Sequence, residues 1–319
     1  MSGLHHSVIV EFGVAGSKIA REKGYYTCKT EDYARMIRKT QDTPSQIWAR
    51  HQIKEHCIRN GYHWVDRNYL TRNGQPYIYA DGETYVMTDL LTCPETDFTD
   101  PIQLNKVVEA MAQWHKCTRG MIFEGEAAIY KGRPPALLTE RYKAQGEAFE
   151  LIRKRLRKQS QLSDFDVMVI KHYADYHGRI LQAQAILNST KYHEKSLFAR
   201  ANGHICHGGI KEEAMRIQGA NIYITKLENS YVDYQLGDLC ALILRHEKKG
   251  GTMPRTQIIE TYAKILPLQP DDEKILQAML LYPTAFAKIV MEYYNKKRTW
   301  IPMAMINRLR EILEEQSLE

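Results

Sequence analysis

Residues 204–245 read HICHGGIKEEAMRIQGANIYITKLENSYVDYQLGDLCALILR, and this stretch sets the reading of the whole chain. His207 is followed by Gly208 and Gly209, so the backbone can turn sharply there and lie close against a neighbour. Ile222 and Ile224 alternate with polar positions, the period-two pattern of a short hairpin with one buried face. Beyond Asp233, the turn Gly237-Asp238-Leu239 leads into an apolar run that predicts a helix buried on all sides. Asp233 and Asp238 are predicted to be buried, with Asp238 heading the helix, where it can cap backbone amides and brace the loop.

A loop for phosphoryl transfer of the kinase type runs His-x-Asp-x-x-x-x-Asn, then a hairpin, then a segment opened by a second Asp. The loop Asp takes the proton of the substrate hydroxyl, and the Asn and the second Asp hold magnesium. Here the histidine is His207, but the base position is Gly209 and the Asn position is Ala214. Lys226 stands where the second Asp should be, and Glu228 falls at a further carboxylate position, where it is the best surviving candidate for a metal contact. Losing the base alone costs about 10²–10⁴ in rate. Losing the metal ligands as well leaves the transferring phosphoryl group unneutralised. No catalytic residue is therefore retained in the loop, and His207 is read as architectural. Glu212 and Glu213 are read as solvated, and Lys226 as paired with Glu228.

Outward from this stretch, the composition narrows the class. At 319 residues, 44% hydrophobic and 26% charged, the chain has the balance of a folded protein with a sizeable core. No apolar run approaches the roughly 20 residues needed to cross a bilayer, and the start, MSGLHHSVIVEFG, lacks the pattern of an export leader. The six cysteines show no CxxC pair and no zinc spacing, which suits small buried hydrophobes in a reducing cytoplasm. The net charge of +6 owes much to Arg153–Lys158, read as a solvated helix face, so no nucleic acid partner is expected.

Residues 1–91 are rich in strand signals: Ser17–Arg21, Tyr25–Thr30 and Tyr33–Thr40, then turns at Arg72-Asn73-Gly74 and Ala80-Asp81-Gly82 flanking two more strands. One helix interrupts them, with Thr43 as N-cap, Pro44 in the first turn and Gly61 as the stop. From Thr92 onward helices dominate. Leu104, Val107, Val108, Met111 and Trp114 share one face, and His115 ends that helix as a satisfied core histidine. A long pair is predicted over 137–160 and 164–188, and four shorter helices follow, with Pro254, Pro270, Pro283 and Pro302 near their starts. The predicted architecture is α+β: a β-rich small lobe over 1–91 and a helical large lobe over 92–319, the layout of a two-lobe protein kinase-like fold.

The residues also match a known family. Asn60-Gly61-Tyr62, Met111-Ala112-Gln113-Trp114-His115, Cys206-His207-Gly208, Gly237-Asp238-Leu239 and the run Leu281-Tyr282-Pro283, Glu292–Asn295 and Thr299–Pro302 recur in order and spacing. On these the chain resembles the CotS-type spore coat proteins, which share the aminoglycoside phosphotransferase and choline kinase fold. The resemblance implies a protein of the sporulating cell's cytoplasm and the spore coat, with other coat proteins as partners. The missing chemistry implies a pseudokinase acting by binding or assembly, with no cofactor beyond weak ATP binding that magnesium does not improve. The alternatives are an active small-molecule phosphotransferase with an atypical site and a nucleotide sensor. For the cleft, the cation on the third strand is Arg38 or Lys39, the hinge is Thr88–Leu91 with Asp89, and Lys226 would reach phosphates directly as a point charge.

Overall fold

Thr43 and Pro44 start a helix as the sequence predicts, and the cap shows why. Thr43 accepts the Gln46 amide while the Gln46 side chain accepts the Thr43 amide, so two otherwise unpaired N–H groups are satisfied reciprocally. The computed structural model describes residues 4–130, 136–295 and 303–316. The chain divides into two units, Met1–Pro134 with Ala199–Pro267, and Pro135–Phe198 with Leu268–Glu319. The lobe limit expected at Leu91 falls within the first unit.

That unit begins with α1 (His6–Glu11), followed by β1 (Lys18–Glu22), β2 (Tyr25–Lys29), β3 (Ala34–Thr40), α2 (Pro44–Arg59), β4 (Asn68–Tyr69), β5 (Ile78–Ala80) and β6 (Glu83–Asp89). The strands form one antiparallel sheet in the order β1-β2-β3-β6-β4, with β5 also on β6. Three strands follow α2 where two were expected. Asp81, Gly74 and Gly82 all take the positive φ that their turns require. The sequence reading did not include α1, which with the residues flanking it lays Leu4, Val8 and Phe12 over Cys28, Ile37 and Met87 on one sheet face. Alternation along β3 then puts Arg38 on the opposite face, level with Tyr25 of β2 and Val86 of β6.

The rest of the unit is α3 (Pro101–Cys117), later α7 (Leu236–Lys248) and α8 (Arg255–Ile265), with the hairpin described below. Asp100 caps α3, and the predicted face Leu104, Val107, Val108, Met111 and Trp114 is wholly buried. The apolar helix α7 is not buried on all sides as expected: Ala241 faces out while Leu239, Leu242 and Ile243 face in. Alanine at 241 extends the apolar run in sequence without needing burial.

The second unit is helical: α4 (Leu138–Leu156), α5 (Asp164–Asn188), most of α6 (Tyr192–Ala201), α9 (Pro270–Leu281), α10 (Thr284–Asn295) and α11 (Met303–Gln316). Stacked rings bind it: Tyr142 on Tyr282 at 3.9 Å, Phe165 on Tyr293 at 3.7 Å and Tyr176 on Phe286 at 3.6 Å. Each such pair adds about 0.5–1.5 kcal/mol beyond area burial. The basic run at the end of α4 is exposed except for Leu156, a solvated face as read from sequence. Thr299–Pro302, and the helix start placed at Pro302, lie outside the described residues.

Candidate functional site

The loop around His207 is held by one carboxylate. Asp238, in the first turn of α7, accepts the backbone amides of His207 at 2.6 Å and Gly208 at 2.9 Å. His115 Nε2 donates to the same group at 3.1 Å, and its Nδ1 meets the Tyr262 hydroxyl at 2.8 Å. Burial pushes the Asp238 carboxyl up, but the hydrogen bond from His115, the electrostatic pull of the His115 and His207 rings and the Gly208 amide outweigh it and hold it below the usual carboxylate value. Asp238 thus braces the loop, as its place at the helix start predicts, and His115 is the satisfied core histidine. Asp233 is also buried and pairs with Arg200 at 2.8 Å.

His207 is fully committed. Its Nε2 donates to the Thr225 carbonyl at 2.8 Å, which leaves Nδ1 to accept the Gly209 amide at 3.2 Å. Burial pushes its pKa down, which favours the neutral tautomer that this pairing requires. The ring therefore ties the loop to the end of β9 (Asn221–Ile224), which pairs with β8 (Met215–Gln218) as the predicted hairpin, Ile222 and Ile224 buried. Two-residue strands β7 (Ile205–Cys206) and β10 (Tyr231–Val232) close the other side.

At the chemistry positions the side chains are missing or reversed in charge. A Cβ on Gly209 would meet the Asn229 side-chain nitrogen at 3.2 Å, so that direction is already occupied by an amide. Ala214 is buried and offers no oxygen ligand from its side chain. Lys226 adopts left-handed backbone, φ 57°, and its ammonium lies 3.5 Å from Glu213. The expected partner, Glu228, instead accepts from Arg38 at 3.1 Å. The reason is strand alternation, which points Arg38 across the cleft at Glu228. Glu212 is not solvated as expected: it is buried against Arg245 at 2.6 Å and Lys249 at 2.7 Å, because the short 3₁₀ turn Glu212–Ala214 directs it at the end of α7.

Arg38, Thr88, Lys226 and Glu228 line one small cavity together with Arg50 and Lys54 of α2 and with Asp42, Asp66 and Asn68. Lys39 lies on the other sheet face and bonds Glu83 at 3.0 Å. Asp89 is outside the lining, accepting the Arg67 amide and the Tyr69 hydroxyl. Arg50 is paired with Asp42, and Lys54 reaches the Asp66 carbonyl and Asn68 Oδ1, both at 2.7 Å. Burial pushes the Asp42 carboxyl up, but its bonds from Arg50 and Thr40 prevail and hold it low. The enclosed space is about 20 Å³, room for about one water and far below the several hundred Å³ of a small-molecule pocket. Sequence reasoning missed Arg50 and Lys54. Their signal is spacing: four residues apart, on the turn of α2 that also buries Ile47 and Ile53.

The residues present do not fit magnesium. Gly209 and Ala214 bring no side-chain oxygen, Lys226 brings positive charge, and Glu228 is engaged by Arg38. Among the described residues no three His, Cys, Asp or Glu side chains form a metal-holding group.

Near the loop, His204 carries a pH prediction. Burial, with the charges of Arg119 and His115, pushes its imidazole down to about 4. Its neutral form is favoured in the fold, while the unfolded chain takes up the proton below about 6.5. Stability from this group is complete above about pH 6.5 and is lost as pH falls toward about 4, by at most about 3 kcal/mol. Urea midpoints measured across that window should fall in the unmodified protein and fall less in His204→Gln protein. Parallel curves would contradict the assignment.

Sheet, helix α2, braced loop, hairpin and helical remainder define a kinase-like phosphotransferase fold. The chain is similar to an aminoglycoside phosphotransferase from Alicyclobacillus acidocaldarius subsp. acidocaldarius DSM 446, with a TM-score of 0.79 at 12% identity over 99% of this chain and 93% of that one. It is also similar to AMP-bound spectinomycin phosphotransferase APH(9)-Ia (TM-score 0.62, 12% identity, 97% and 95% covered) and to the amicoumacin kinase hAmiN (0.57, 10%, 98% and 92%). At such identities the likeness speaks to fold alone. No curated protein matches in sequence. The chain belongs to the family described as "Spore coat putative kinase YutH", which it matches over residues 5–319. The resemblance to CotS-type coat proteins read from the motifs is thereby borne out at the level of family.

Proposed function

We propose that this protein serves the spore coat by binding or assembly and not by phosphoryl transfer. The observation that carries the reading is Gly209, Ala214 and Lys226 at the three chemistry positions of a loop whose frame is otherwise intact. The cavity beside them supports it, since its cations are held by the chain's own carboxylates. Its partners are other coat proteins. It needs no cofactor, and ATP binding is weak and independent of magnesium. It is made in the cytoplasm of the sporulating cell and ends in the coat.

The purified protein is expected to transfer no phosphate from ATP to aminoglycosides, choline, sugars or itself above a heat-killed control. Turnover abolished by Glu228→Ala would establish the rival, an active small-molecule phosphotransferase that uses Glu228 as its surviving carboxylate. A fluorescent fusion should mark the forespore during sporulation. Diffuse signal that never gathers there would contradict the location.

A further inference from the structure

Helix α5 is apolar on two faces; one is fully buried inside its unit, and the other is covered only along one edge, where Leu181 lies beside Gly146 of α4. Phe165, Val169, Tyr173, Tyr176, Ile180 and Leu187 are buried. On the opposite side Val167, Ile170 and Leu181 are 51%, 44% and 46% exposed, and exposed Ala174, Gly178 and Ala185 share that side. At about 100° per residue these six fall in an arc about 80° wide that runs along the helix. A solvated helix face would carry charge there, so beyond the α4 edge this face has the character of a contact surface that the described structure leaves half open.

The flank of the face says what covers it. Asp164, Lys171, Asp175 and Gln182 are exposed along one edge of the arc. In an antiparallel pair of identical helices related by a twofold axis, like edges meet. A single register then pairs all four: position 171 with 175 and position 164 with 182 share the same midpoint, residue 173. Lys171 then faces the partner's Asp175, and Asp164 faces the partner's Gln182, each twice. The same register staggers Ala174 against the partner's Ala174, where small side chains allow the helix axes to approach to about 8 Å.

We propose that a second copy of this chain covers this face, through an isologous antiparallel α5–α5 contact centred near residue 173. The contact uses about ten residues a side, against roughly 20–30 in a standard interface. It is therefore weak between free molecules and forms where copies are concentrated, as in a layered shell. The inference does not depend on the pseudokinase reading, since it concerns a helix in the other unit.

Sedimentation equilibrium from low micromolar to several hundred micromolar tests it. The unmodified protein is expected to shift from monomer to dimer across that range. Lys171→Glu and Asp175→Lys should each weaken association about tenfold, because each turns two facing attractions into repulsions. The double variant Lys171→Glu/Asp175→Lys should restore it, and Ala174→Arg should abolish it. All these positions are exposed, so circular dichroism and Tm should stay unchanged and separate loss of contact from loss of fold. A protein monomeric at every concentration overturns the proposal. So does a dimer indifferent to the single reversals, which would use another surface, and so does a double variant that stays as weak as the singles.

Discussion

Asp238→Ala protein is expected to melt about 10 °C below the unmodified protein. The carboxylate is buried and takes three donors: the amides of His207 and Gly208 and the ring of His115. Removing it leaves the buried His207 amide and the partly buried Gly208 amide without an acceptor and an imidazole without its partner. Each orphaned buried group costs about 1–3 kcal/mol, toward the upper end where the lost acceptor was a carboxylate. At about 2–4 °C per kcal/mol for a unit of this size, the shift is large enough to read by circular dichroism. Asp238→Asn keeps one acceptor and should lie between the two. A Tm within a degree of the unmodified protein for Asp238→Ala would show that the carboxylate does not brace the loop.

Gly208→Ala is expected to be comparably damaging for a different reason. The residue sits at φ +70°, and a Cβ there would lie 2.2 Å from the Asn229 carbonyl oxygen and 2.9 Å from the Tyr231 ring. The left-handed backbone costs an L-residue about 1–2 kcal/mol. The clash is with main chain, so the loop itself must shift, adding about 1–3 kcal/mol. Gly237→Ala is the control: its nearest atom is the Tyr231 hydroxyl at 3.7 Å and it lies in the first turn of α7. That variant should be neutral or slightly stabilised. Equal losses at 208 and 237 would show that the effect is not one of close approach.

These two residues belong to the part of the fold that was legible in the sequence. A histidine before two glycines, a period-two hairpin and an Asp opening an apolar helix each obey a local rule, and the rules agree with one another. The α3 stripe and the Thr43 cap were legible for the same reason. What escaped the reading depends on contacts distant in sequence. α1 is six residues long, too short to show a period, and becomes a helix by covering the sheet. Glu212 looks like a loop carboxylate until Arg245 and Lys249 arrive from more than thirty residues on. Arg38 and Lys39 could not be separated by strand alternation until α1 marked which sheet face is buried. Likewise Lys226 was assigned to Glu228 by nearness in sequence, while Arg38, on a strand far earlier in the chain, takes that carboxylate.

The cleft residues bear on nucleotide binding through a balance of charges. A cation and an anion about 4 Å apart attract by roughly 4 kcal/mol at an effective dielectric near 20, and desolvation removes much of that. An entering phosphate would also have to displace Glu228 from Arg38 and Asp42 from Arg50. Magnesium would add to the repulsion from Lys226. The most direct test of the pseudokinase reading is calorimetry of ATP against the unmodified protein, once with magnesium and once with a chelator. Weak or undetectable binding that is the same in both conditions is the predicted result, and tight binding that requires magnesium would contradict it.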